Sequence, residues 1–306
     1  MREVKATLAR VLGFRAPNRS APLAQAASVK GTFADFLAKL LTFESGIDPE
    51  KFAGYVREYE SPVMRYPRVS SPGSVIRERE SGSYRFEPMT VAAYFKTLGV
   101  DHLFDPASPA CIPAMQYAST NVLGFVGYQF GEAALIAGGY YRPQVVRGRR
   151  RAGGYCEYDS YYIGSLPETT WCAGRTETLY RLPGTRKDVL ATDVNRWRGI
   201  FTGKHGIASL DDFKDPQRQE LAMRDHLDAN HIVLRRVLSR NGYDLRAAPR
   251  TWSGLLAAAH LCGASAAAAF ALRGTIARDE FKTDIATYFA AFEGYETPYC
   301  SPVRPR

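Results

Sequence analysis

The sequence predicts a mainly α-helical fold carrying irregular or small β insertions. Three observations lead there. Apolar residues recur at helical spacing in several separate stretches, glycine, proline and arginine gather in two long segments between them, and strands do not alternate with helices as a parallel sheet would require. At 306 residues the chain is long enough to bury a large core without a disulfide or metal framework.

Residues 2–13 read as a short basic helix, and residues 16–28, rich in Ala, Ser, Pro and Asn, as a linker; together they make an N-terminal extension over 1–30. The apolar cluster at 11–14 is too short for the core of a signal peptide, so no classical signal is expected. In residues 32–43, Phe33, Phe36, Leu37, Leu40 and Leu41 fall on one helical face, with Thr32 as N-cap and Gly46 as the stop. Glu44 therefore lies at the end of a buried helix, where a surface carboxylate is not expected.

Residues 48–115 read as an excursion from the core with one helical piece at 90–98. Within 115–137, the glycine- and aromatic-rich run from Gly124 to Gly131 reads as a turn, and 130–136 as a helix start. Residues 142–192, rich in Arg and Tyr, read as a second irregular or hairpin insertion. Helices are then predicted at 210–213, at 217–238 behind Asp215-Pro216, and at 279–292. The apolar run 255–272 is mostly alanine and is interrupted by His260, Cys262, Gly263 and Ser265, which makes it two buried helix segments instead of a membrane span. One domain over 31–295 and a C-terminal tail over 296–306 complete the division.

The charged fraction of 23% and a mean hydropathy of −0.26 exclude a disordered, collagenous or coiled-coil chain. Forty Lys and Arg against 31 Asp and Glu leave a net charge of +9, which points to a polyanionic partner without choosing one. The densest basic run, Arg142, Arg147, Arg149, Arg150 and Arg151, reads either as a solvated loop or as an attraction for an anionic polymer. The five cysteines show no CxxC and no Cys/His spacing, so neither a metal nor a cofactor is expected. For Cys156 and Cys172, one disulfide and two free thiols both stay open.

Cleaving a glycosidic bond requires a carboxylic acid that keeps its proton near neutral pH, and burial against apolar groups supplies that condition. Glu44, following Leu40, Leu41 and Phe43, is the candidate, against a capping or ion-pair role. Gln129 reads either as a sugar-binding amide or as a buried amide satisfying loop backbone. Asn121 reads as support for that loop, and Tyr288 as cleft wall or core. His260, in an alanine helix, reads as a satisfied core residue or as an acid–base group.

Five ordered blocks carry a resemblance. Glu44-Ser45-Gly46 is followed by Asn121 and Gly124-Phe125-Val126-Gly127-Tyr128-Gln129-Phe130-Gly131, then by Trp197-Arg198-Gly199-Ile200-Phe201-Thr202-Gly203-Lys204-His205-Gly206-Ile207. Ala257-Ala258-Ala259-His260-Leu261-Cys262-Gly263 and Phe281-Lys282-Thr283-Asp284-Ile285-Ala286-Thr287-Tyr288 complete the series. This order resembles the lysozyme-like superfamily of goose lysozymes and lytic transglycosylases, in its phage-lysin and type VI secretion muramidase branch. Phe125, the missing Lys before Tyr128, Lys282 and Asp284 are departures.

The resemblance implies cleavage of the β-1,4 MurNAc–GlcNAc bond of peptidoglycan with Glu44 as general acid. It also implies a substrate cleft lined by Tyr128 and Gln129, with Ser45, Asn121, His260 and Tyr288 around it, Ser45 steering the carboxyl. Asp48, Asp193, Asp211 and Asp212 are the candidates for a second carboxylate, and hydrolysis and transglycosylation both stay open. The implied setting is secretion or delivery to a target cell's periplasm by a secretion machine or phage tail, with a neutralising immunity protein as partner. A non-catalytic wall-binding protein is the first rival. Nucleic acid is not the expected partner, although the Arg/Tyr insertion supplies that second rival.

Overall fold

The structure, a computed structural model, describes residues 29–61, 64–67, 86–121, 124–142, 195, 197, 199–243, 251–279 and 283–300. The fold is mainly α, as expected. The predicted helix at 2–13, the Arg147–Arg151 run, Asp193, Cys156 and Cys172 lie outside the described residues. Cys111 is a free thiol.

Helix α1 (Phe33–Ser45) buries Phe36, Leu37, Leu40 and Leu41, the face that its spacing predicts. Its start is a capping box: the Thr32 hydroxyl accepts from Asp35 N at 3.2 Å while Thr32 N donates back to the Asp35 carboxylate at 2.8 Å. Its end is Gly46, whose φ of 69° is a conformation glycine adopts without a Cβ penalty. Tyr94 Oη donates to the Gly46 carbonyl at 3.1 Å, and a Cβ at Gly46 would fall on that hydroxyl.

The chain then forms a small lobe. Helices α2 (Phe52–Arg57), α3 (Val91–Thr97) and α4 (Cys111–Ala118), with a hairpin of β1 (Met64–Pro67) and β2 (Phe86–Met89), surround a core of their own. That core contains Ile47, Tyr55, Val91, Tyr94, Phe95, Leu98, Val100, Ile112 and Met115. The segment expected as an excursion with one helical piece is thus an organised unit, and it ends beyond residue 115, because Met115 lies inside α4. Gln116 joins it to α1, donating to the Ile47 carbonyl at 2.7 Å and the Thr42 hydroxyl at 3.1 Å.

The main core packs α1 and the 126–141 segment against four C-terminal helices. Helix α5 (Glu132–Ala137) leads into β3 (Tyr141–Arg142), which pairs antiparallel with β4 (Ile200–Phe201). A buried Glu132 clips this junction, accepting from Trp197 N at 2.5 Å and from the Tyr141 hydroxyl at 3.2 Å. Helix α6 (Leu210–Phe213) precedes α7 (Pro216–Arg240), which opens with Asp215 accepting from Arg218 N at 3.1 Å.

Helix α8 (Thr251–Cys262) is buried without a break from Thr251 to Ala259, an all-round apolar helix that has to be central. It packs against α7, α9 (Ala264–Arg273) and α10 (Ile285–Phe292). As expected, the 255–272 run is two helices, broken at Gly263, and among the described residues no helix is long and apolar enough to cross a membrane. Gly254 lets α8 and α10 approach: a Cβ there would sit 2.8 Å from the Phe289 ring. The helix predicted over 279–292 begins only at Ile285, since Arg278 and Asp284 form an antiparallel bridge.

Replacing Gly46 with Ala is expected to cost about 1–3 kcal/mol from backbone strain, before any displacement of Tyr94 is counted. Urea denaturation of the variant beside the parent measures it.

Candidate active site

Glu44 projects from the last turn of α1 at the join between the two cores, and its side chain is only 9% exposed. Tyr288 of α10 donates its hydroxyl to Glu44 Oε1 at 2.6 Å. His260 of α8 places Nε2 at 3.4 Å from the same oxygen. Phe43, half exposed beside Glu44, stands edge-on to Tyr288 and Phe292 with ring centroids 5.6 and 5.5 Å away. Aromatic rings therefore wall the carboxyl, and one phenol steers it.

Burial pushes the Glu44 carboxyl up to about 8, against the opposing Tyr288 hydrogen bond, and the negative charge of Asp279 raises it further. Burial also raises Tyr288, assisted by the Glu44 charge, so the phenol stays protonated and donates. His260 moves the other way: burial lowers it to about 4 against the opposing hydrogen bond to Tyr128. Between about pH 4 and 8 the 3.4 Å contact therefore joins a neutral acid to a neutral imidazole and is no ion pair.

The 124–131 turn approaches this acid from the other side, because the Tyr128 carbonyl lies 2.8 Å from His260 Nε2. Val126 and Phe130 pair across the turn, and Gln129 takes a φ of 58°, an unusual conformation for a residue with a side chain. Asn121 holds the turn as expected, accepting from Phe125 N at 3.1 Å and donating to Gln129 Oε1 at 2.5 Å. Gln129 is half buried, with its Oε1 engaged and its Nε2 left as the donor end.

Two expected roles need correction. The Tyr128 side chain is fully buried and does not line an open cleft: its hydroxyl donates to Glu220 at 2.5 Å and lies 3.3 Å from the Leu37 carbonyl. Its position is a core anchor for the turn, and only its carbonyl reaches the acid's neighbourhood. Ser45 does not steer Glu44 either, because its buried hydroxyl accepts from Ile47 N at 3.2 Å and finishes the helix end.

Of the expected second carboxylates, the three among the described residues are committed elsewhere. Asp48 caps the following turn through Glu50 N at 3.0 Å and pairs with Lys51 at 3.4 Å. Asp212 accepts from Ser209 and pairs with Arg218, while Asp211 meets Lys214 at 3.3 Å and is 92% exposed. The carboxylate that acts on Glu44 is Asp279, held in the bridge segment by Thr283 N at 2.7 Å. It escaped the sequence reading because residue 279 was assigned to a helix.

Gln219 was missed as well. Fully buried on α7, it accepts from Tyr128 N at 3.1 Å and donates to the Phe213 carbonyl at 2.9 Å and the Tyr117 carbonyl at 3.1 Å. The available signal was a polar residue in the apolar stripe of Ala222, Met223 and Leu227.

Compared with known proteins, the chain matches no protein-family model, no curated protein and no solved structure.

A folded-state value above the unfolded one means that folding loses stability as pH rises from about 4.5 to about 8, where the unfolded chain has given up the proton and the folded chain retains it. Glu44→Gln removes that penalty. Its stability relative to the parent is expected to grow by a few kcal/mol, to order of magnitude, between pH 4 and 8.5. Chemical denaturation curves across that range check the sign. His226 and His260, both lowered by burial, give a limb of the opposite sense, stability rising between about pH 3 and 6.5, in parent and variant alike.

Proposed function

We propose that this protein is a lysozyme-like muramidase that cleaves the β-1,4 MurNAc–GlcNAc bond of peptidoglycan with Glu44 as general acid. The observation that carries the proposal is a single carboxyl nearly excluded from water and held by the Tyr288 hydroxyl, a setting in which burial raises it to about 8 and favours the protonated form. That is the state from which a proton is donated to a leaving glycosidic oxygen.

In this reading the half-exposed Phe43 and the Gln129 amide nitrogen face the glycan, one offering an apolar edge to a sugar face and the other a donor to hydroxyl or N-acetyl groups. Asp279, whose charge adds to the dominant effect of burial in raising Glu44, is the carboxylate available to respond to charge on the sugar ring. The net charge of +9 favours an anionic wall polymer over a neutral glycan by long-range attraction. Delivery to a target cell's periplasm, by a secretion machine or a phage tail and alongside an immunity protein, belongs to the same proposal through the ordered sequence blocks.

Glu44→Gln is expected to lower the clearing of purified sacculi by about 100-fold or more while leaving sacculus binding intact. Parental lysis should fall about tenfold per pH unit above pH 8, as the acid loses its proton. Mass spectrometry of the released muropeptides then names the reaction, reducing-end MurNAc for hydrolysis and 1,6-anhydro-MurNAc for transglycosylation. A Glu44→Gln variant that clears sacculi as fast as the parent removes Glu44 from the chemistry.

A further inference from the structure

Only one side of helix α7 is used by the fold. Leu227, Leu234 and Leu238 turn into the core, as do Ala222 and Met223. Opposite them, in the last three turns, Ile232, Arg235, Arg236 and Arg240 share a face at positions i, i+3, i+4 and i+8. All four are exposed, Ile232 by 65%. From Ala229 to Tyr243 the sequence has no Asp or Glu. The nearest acid on the helix, Asp228, lies two turns before Arg235 and takes the Tyr299 hydroxyl at 2.6 Å. Among the described residues, no acid pairs with any of the three arginines. The charge of Arg235 is felt instead by His231, which burial and then Arg235 lower against the pull of Asp228.

Two ordinary explanations cover only part of this. A helix C-terminus favours cations, but that preference fades beyond the last turn, so it accounts for Arg240 and leaves Arg235 and Arg236 outside it. A solvated helix face gains from opposite charges four residues apart, whereas Arg236 and Arg240 set like charges at that spacing, which a helix on its own disfavours.

We propose that this face of α7 is a docking surface for the peptide carboxylates of peptidoglycan, which holds the polymer while Glu44 acts on it elsewhere. The inference rests on the reading of peptidoglycan as the substrate. Three guanidinium groups within two turns suit a polymer that presents carboxylates repeatedly, since each can make charge-assisted hydrogen bonds. Their place on the helix separates them from the chemistry. His226 of α7 stands 5.2 Å, ring to ring, from His260 beside Glu44, and the arginines lie about 14–21 Å further along the axis. That is too far to touch the sugar being cut, and a distance that a polymer spans. The surface therefore governs retention on the wall.

Other polyanions fit this face less well. A helix that lies in a lipid surface offers it a broad apolar side. The apolar side of α7 is in the core, and among the described residues Ile232 is the one large apolar side chain exposed in these turns. Single-stranded nucleic acid is held by exposed aromatic rings as well as charge, and this face carries none.

The test is co-sedimentation of the full chain, on ice, with purified sacculi freed of other wall polymers, at low and high salt. Changing Arg235, Arg236 and Arg240 together to Gln is expected to weaken low-salt binding about tenfold and to flatten its salt dependence. Changing the same three to Lys keeps the charge and is expected to keep most of the binding. Sacculi whose peptide carboxyls have been converted to amides are expected to hold the parent no better than unmodified sacculi hold the Gln variant. Melting temperatures confirm that both variants are folded.

Parental binding by the Gln variant at low salt, equal loss in the Gln and Lys variants, or undiminished binding of the parent to amidated sacculi overturns the proposal. So does tighter binding of the parent to anionic phospholipid vesicles or to a DNA oligonucleotide than to sacculi at the same salt. Lysis by the Glu44→Gln variant at the parental rate overturns the reading of the acid and leaves the binding comparison as it stands.

Discussion

The structure depends on keeping one carboxyl away from water. Burying an ionisable group is unfavourable unless it stays neutral or finds partners, and the Glu44 site uses both routes: the acid keeps its proton and Tyr288 donates to it. Each wall of that enclosure comes from a different part of the chain. The end of α1 supplies the acid, α10 the phenol and α8 the imidazole, and the close approach at Gly254 brings the last two helices together.

The second constraint is backbone. A turn that passes beside a buried acid cannot leave its own amides and carbonyls unpaired. Gln219 meets three of the surrounding backbone groups from the middle of α7, and Asn121 fixes the turn from the other end. Tyr128 anchors it in the core through Glu220, which also accepts from Tyr117 at 2.6 Å. These polar residues inside an apolar core hold the turn in place beside Glu44.

Much of this was legible in the sequence wherever the determinant was local. Thr32, Gly46 and Asp215-Pro216 mark helix ends through their own backbone chemistry, and the Leu40, Leu41, Phe43 run announces a Glu44 facing the interior. Gly263 divides the alanine run for the same reason. What escaped was decided by distant partners. The bridge between Arg278 and Asp284 overrides a helical pattern, and with it went the position of Asp279. Tyr128 was expected in a cleft through the family resemblance alone, but its burial follows from Glu220 and Leu37, far away in sequence. The separate core behind 48–115 was hidden by the glycine and proline that dilute its short helices.

The pairing of β3 with β4 has a consequence of another kind. Tyr141 opposes Phe201, Trp197 stacks on Phe201, and both Tyr141 and Trp197 meet the buried Glu132. The chain that departs after Arg142 therefore returns to a point already fastened beside its departure. That junction is closed by its own side chains, so its register does not rely on the length of chain between its two strands.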